Sequence, residues 1–84
     1  MKTVTLYTTE FCSYCTSAKK LLERREIDYQ EINLARDPDG REELSKITGM
    51  HTFPQIVIEG EPLGGFNELL AADRAGTLRG LLAA

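Results

Sequence analysis

The chain has 84 residues, 42% hydrophobic and 27% charged, with a net charge of −3 at pH 7 and two cysteines. That length holds one domain, residues 1–84, burying roughly 63% of the surface its unfolded chain would expose. The composition argues against disorder, the acidic balance against a nucleic-acid partner, and apolar runs of a few residues against a membrane span.

Lys2 to Thr9 alternates Val4 and Leu6 with Thr3 and Thr5 and predicts a strand. No long apolar stretch follows Met1, so no secretory signal is expected and the protein is expected to be cytoplasmic. Glu10-Phe11-Cys12-Ser13 makes a short connection. A helix is predicted from about Ser13 to Glu26, with Cys15, Ala18, Leu21 and Leu22 on one face and Lys19, Lys20, Glu23, Arg24 and Arg25 toward water. Tyr29 to Leu34 predicts a second strand with a thin apolar face. Ala35 to Gly40, containing Asp37-Pro38-Asp39-Gly40, reads as a turn. A second helix is predicted from about Gly40 to Thr48, with Leu44 and Ile47 inward and Gly49 as its C-terminal cap.

Ile56-Val57-Ile58 is a β-branched run that suits a strand buried on both faces. Glu59-Gly60 suits a tight hairpin turn, and Pro62-Leu63 a short edge strand, since proline cannot donate to the ladder. A final helix is predicted from about Asn67 to Ala75 with Leu69 and Leu70 inward, ended by Gly76. Thr77 is expected to cap a last turn bearing Leu78, Leu81 and Leu82. The order β-α-β-α-β-β-α predicts an α/β fold with strands one to three parallel and strand four antiparallel to strand three. A mixed four-stranded sheet with helices on both faces is the thioredoxin-like architecture.

Cys12 and Cys15 stand three residues apart. A disulfide between them closes a loop of about four residues, which the chain-entropy account values at only about 2 kcal/mol, against about 3 for a 15-residue loop. A structural staple is a poor explanation of the pair. C-x-x-C beside a βαβ pattern points instead to thiol–disulfide chemistry. Cys12 falls where a helix begins, and the unpaired N–H groups and dipole there favour an anionic sulfur, the nucleophilic form. Cys15 falls inside the helix, placed to attack a mixed disulfide on Cys12 and release the product. The one histidine, His51, reads as a solvated loop residue, so a mononuclear metal site lacks ligands.

Three segments carry a family resemblance. Tyr7-Thr8-Thr9-Glu10-Phe11-Cys12-Ser13-Tyr14-Cys15 resembles the active-site segment of glutaredoxins. Thr52-Phe53-Pro54 resembles the family's Thr-Val-Pro segment, and Gly64-Gly65 before Phe66-Asn67-Glu68-Leu69 resembles the glycine pair that opens its last helix. The three occur in order over nearly the whole chain. The resemblance implies an enzyme, a glutathione-dependent thiol–disulfide oxidoreductase that reduces protein disulfides or glutathionylated proteins. Cys12 and Cys15 would be catalytic, with no tightly bound cofactor and glutathione as co-substrate. A monomer is expected, with neither a membrane nor a nucleic acid as partner. The resemblance further implies a cis peptide before Pro54, which would set the Phe53 backbone beside Cys12 for an extended peptide to pair with. Glutathione contacts are implied at Tyr14, Thr52, Phe53, Pro54, Gly65, Phe66 and Asn67, with the N–H groups of Phe66 and Asn67 offered to a carboxylate. Arg41 is a further candidate for the glycine carboxylate.

The chain also departs from the pattern. Thr9 stands where a lysine is common, and Asn67 where an acidic residue meets the γ-glutamyl ammonium. Charge-assisted bonds are about twice as strong as neutral ones, so weaker glutathione binding is expected. Phe66 is shared with small glutaredoxin-like donors that thioredoxin reductase reduces, whereas Tyr14 favours glutaredoxin proper. Cys-Ser-Tyr-Cys glutaredoxins include some that bridge a 2Fe–2S cluster across a dimer through the first cysteine and glutathione. A cluster-holding dimer therefore stands as a reading of another class.

Overall fold

The computed structural model describes residues 1–83. Its elements are β1 (Val4–Thr8), α1 (Ser13–Arg24), β2 (Gln30–Asn33), α2 (Pro38–Thr48), β3 (Gln55–Ile58), β4 (Glu61–Gly64), α3 (Phe66–Ala75) and α4 (Leu78–Leu82). The sheet order is β2-β1-β3-β4, so the expected α/β thioredoxin-like sheet is present. β1 runs parallel to β2, with Thr5 opposite Gln30 and Thr8 opposite Asn33.

One expected direction is corrected. β3 runs antiparallel to β1, with Val4 opposite Ile58 and Tyr7 opposite Gln55. The end of β1 therefore lies beside both the end of β2 and the start of β3. The α2 connection leaves and re-enters the sheet at one end, instead of crossing back as a βαβ unit does. That gathers at one end the loops after β1, after β2 and before β3. The β3–β4 hairpin turns through Glu59 and Gly60, with φ values of 49° and 84°, the paired left-handed conformations that match strand twist.

Val4, Leu6, Ile56 and Ile58 point to one face and are covered by Ala18, Leu21 and Leu22 of α1 and Leu69 and Ala72 of α3. Arg25, just past α1, forks onto Asp73 of α3 at 2.7 and 3.1 Å. α4 closes this core with Leu78 and Leu82. Leu81 points out, 41% exposed, and Thr77 donates its hydroxyl to Ala72 O at 3.3 Å rather than capping α4. On the opposite face α2 sets buried Leu44 toward the sheet, while Ile47, expected inward, is 68% exposed. One helical stripe on a short helix has room for a single anchor here. The predicted turn at Asp37–Gly40 is the start of α2: Asp37 accepts from Gly40 N–H at 2.8 Å and Pro38 opens the helix, where a missing N–H costs nothing.

Candidate active site at the start of the first helix

Cys12 is the N-cap of α1, with extended backbone at φ −115° and ψ 103°. Its Sγ accepts the backbone N–H of Cys15 at 3.2 Å, the role that a serine or aspartate oxygen usually takes. Its thiol also lies 3.7 Å from the Phe53 carbonyl, the acceptor from the loop before β3. Free N–H groups of the first turn thus face the atom on which negative charge develops when the sulfur attacks or leaves. Cys12 is half-buried and Cys15 is buried, and both are free thiols. Burial pushes the Cys15 thiol up to about 11, and the hydrogen bond and charge of Cys12 push the same way. The Thr9 backbone N–H and the Lys19 ammonium pull it down. The two sulfurs are therefore unequal: one is reachable and faced by helix N–H groups, the other is held protonated in the interior.

A groove of about 380 Å³ opens at Phe53, whose carbonyl lies 3.7 Å from Cys12 Sγ. Tyr14, Thr52, Phe53, Pro54, Gly65, Phe66 and Asn67 all line it, so seven of the eight predicted contact residues meet in one place. The Phe53–Pro54 peptide is cis, as the resemblance implied. The Tyr14 and Phe66 rings lie 5.8 Å apart and tilted by 33°, forming one wall. Gly65 brings two loops together: a Cβ there would sit 3.4 Å from Pro54 O. The first N–H groups of α3, on Phe66 and Asn67, have no partner within the helix. The Gly65 N–H is taken by Glu68 Oε1 at 2.7 Å.

Arg41 does not join this groove. It sits at the start of α2, where Nη1 donates to the carbonyls of Leu34 and Ala35 at 2.5 and 2.8 Å. Its charge closes the turn between β2 and α2. Three residues that sequence reasoning passed over belong to the site. Met50 and Glu68 line the groove. Buried Gln55 ties down its loop: Nε2 donates to Met50 O at 3.2 Å and Thr52 O at 3.0 Å, and Oε1 accepts from Thr48 Oγ1 at 2.8 Å. A glutamine opening an otherwise apolar strand was the one available signal.

On the other side of Cys12 lies a hollow of about 580 Å³, with Glu10, Phe11, Cys15, Lys19, Glu31 and Asn33 among its walls. Lys19, expected toward water, is half-buried and sits 3.3 Å from Glu31 Oε2, which also accepts the Thr8 hydroxyl at 2.9 Å. Among the described residues no group of three or more His, Cys, Asp or Glu side chains converges as a metal site.

Comparison with known proteins agrees along the chain. The family model described as Glutaredoxin matches residues 4–63, which contain both cysteines and the Thr52–Pro54 loop. The chain is 45% identical to a glutaredoxin of Pseudomonas aeruginosa over 84 residues, covering the whole of both. The solution structure of a glutaredoxin from Brucella melitensis superposes with a TM-score of 0.86 at 39% identity, covering 98% of this chain and 89% of that one. The crystal structure of a buckwheat glutaredoxin–glutathione complex superposes with a TM-score of 0.87 at 30% identity, covering 96% of this chain and 76% of that one. Likeness of this extent in both sequence and backbone places the chain in the glutaredoxin family, and its activity is that of a thiol–disulfide oxidoreductase.

Proposed function

We propose that glutathione is the co-substrate of this glutaredoxin and that its substrates are protein disulfides and glutathionylated proteins. The Cys12 thiolate attacks one sulfur of the substrate disulfide. A Cys12–S–S bond forms, the substrate S–S bond breaks, and the departing thiolate takes a proton from water. Cys15, after losing its proton, attacks Cys12 Sγ, forming the Cys12–Cys15 disulfide and releasing the second substrate sulfur. Two glutathione molecules then return the pair to dithiols and leave as oxidised glutathione. A glutathione that attacks the mixed disulfide directly takes the place of Cys15.

The observation that carries this reading is the groove itself. It offers the Phe53 backbone to an extended peptide, and the unpaired N–H groups of Phe66 and Asn67 to a carboxylate, within reach of the Cys12 sulfur. The buckwheat relative, solved in complex with glutathione, supports the same ligand. Asn67 supplies a neutral acceptor where a carboxylate would be stronger, so affinity is expected to be modest.

The test is a coupled assay. Reduction of a glutathione mixed disulfide driven by glutathione and glutathione reductase, with no turnover under thioredoxin reductase, supports the reading. Turnover driven by thioredoxin reductase and not by glutathione overturns it, in favour of a glutaredoxin-like donor. A coloured dimer with visible absorption after anaerobic purification, inactive in both assays, would overturn it in favour of a cluster-holding protein.

A further inference from the structure

The hollow beside Cys12 contains one charged group that is firmly built. Lys19 lies four residues past Cys15, one turn on along the same face of α1. Its ammonium sits 3.3 Å from Glu31 Oε2. The same oxygen accepts the hydroxyl of Thr8, a residue 1% exposed at the end of the central strand. A chain of contacts from β1 through β2 thus ties Lys19, by way of Glu31, into the wall of the hollow that the buried Cys15 thiol also borders.

The charged groups bordering this hollow are few. Glu10 comes from the loop before α1 and is within 4.0 Å of Arg36, which points outward and is 92% exposed. Glu31 comes from β2, Lys19 from α1, and Cys12 lies across the hollow from them. Lys19 is the one cation lining the hollow among the described residues. Cys15 is 2% exposed, so water does little to stabilise a negative charge on its sulfur.

We propose that Lys19, held by Glu31, which Thr8 in turn bonds, is the positioning residue of the resolving step: its charge meets the negative charge on Cys15 as that sulfur attacks the mixed disulfide at Cys12. The inference rests on the proposed role of Cys15 in resolution. In that step the Cys15 proton goes to water. The Cys15–Cys12 S–S bond forms, and the bond from Cys12 to the substrate sulfur breaks. The leaving sulfur keeps the electron pair and takes a proton from water. Burial raises the Cys15 thiol to about 11, and Lys19 is one of the two influences that lower it. The pair with Glu31 is about one-third exposed, so its charge is partly screened and the effect is graded.

The experiment titrates Cys15 alone in a Cys12→Ser background, following thiolate absorbance in the ultraviolet. Lys19→Met should raise the midpoint by about half a pH unit, Lys19→Glu should raise it further, and Lys19→Arg should restore it. In the dithiol protein, Lys19→Met should slow protein-disulfide reduction at neutral pH by roughly threefold, half a unit being about a threefold change in thiolate. In a Cys15→Ser background, Lys19→Met should slow glutathione-resolved turnover by a clearly smaller factor, its charge acting there on Cys12 alone. A midpoint indifferent to the sign of the charge at residue 19, or an equal loss of rate in the Cys15→Ser background, overturns the proposal. Failure of the underlying reading is visible separately, as protein-disulfide reduction that survives Cys15→Ser alone.

Discussion

The backbone N–H of Cys15 points at Cys12 Sγ from 3.2 Å, while the side chain of Cys15 turns into the core. One residue therefore supports the exposed sulfur through its backbone and waits behind it with its thiol. The separation makes a pair of substitutions informative. Cys12→Ser should abolish disulfide reduction yet leave stability within about 0.5 kcal/mol, because a serine oxygen caps a helix as well as the sulfur does. Cys12→Ala should abolish activity and also cost about 1 kcal/mol, the usual cost of a lost cap. Cys15→Ser keeps the backbone N–H, so it should retain part of the activity on glutathione mixed disulfides and lose dithiol reduction of protein disulfides. Coupled turnover and urea unfolding of the reduced proteins measure both effects.

The alkaline limb of stability should belong to Cys15. Its folded thiol is raised by burial to about 11, above the ordinary value of 9.0. A raised acid group favours the protonated, folded form. The stabilisation is fully present below about pH 9 and is lost as the pH rises through about 11. Two units correspond to roughly 2–3 kcal/mol. Urea unfolding of the reduced protein at pH 8 and at pH 10.5 should show the loss, and Cys15→Ser should show less of it. Equal slopes in the two proteins would contradict the assignment.

The unequal placement of the two cysteines was legible because helix-start chemistry is local: a C-x-x-C at a strand-to-helix junction sets one sulfur at the cap and the other one turn inside. The groove was legible only through three segments recognised together, since nothing in the spacing of Thr52, Gly65 and Tyr14 shows that they meet. The direction of β3 was misread because local patterning identifies a strand without its sense, and the sense depends on which end of the sheet the loop at 49–54 returns to. Ile47 was misread for a related reason: apolar periodicity gives the stripe, but the length of helix that the sheet covers comes from packing. Arg41 was placed by analogy of position, and the carbonyls of Leu34 and Ala35 claim it.

Gln55 should prove the structural support of the groove. Its amide satisfies Met50 O and Thr52 O, and it receives the Thr48 hydroxyl, from a buried side chain whose partners are partly buried. Gln55→Met preserves volume and removes every one of these bonds. Losing these partly buried bonds costs about 1 kcal/mol, so the midpoint of unfolding should fall accordingly. Because the loop it holds forms a wall of the groove and carries the Phe53 carbonyl, KM for a glutathione mixed disulfide should rise more than kcat falls. An unchanged KM in a folded variant would mean that the loop holds its shape without the amide.

Phe11 precedes Cys12 with a φ of 55° and a fully exposed ring. A left-handed backbone is unfavourable for a bulky residue, and this ring gains no packing within the protein in return. It borders the hollow on the side of Cys12 away from Tyr14 and Phe66. A protein substrate covering Cys12 would bury the ring, whereas glutathione seated in the groove would not touch it. Phe11→Ala should thus leave stability within about 0.5 kcal/mol. Partial burial of an aromatic ring is worth about 1–2 kcal/mol, so kcat/KM for a protein disulfide should fall roughly tenfold while that for a small glutathione mixed disulfide stays within about twofold. Parallel kinetics on the two substrates check this, and an equal fall on both would assign Phe11 to positioning Cys12 rather than to receiving the protein partner.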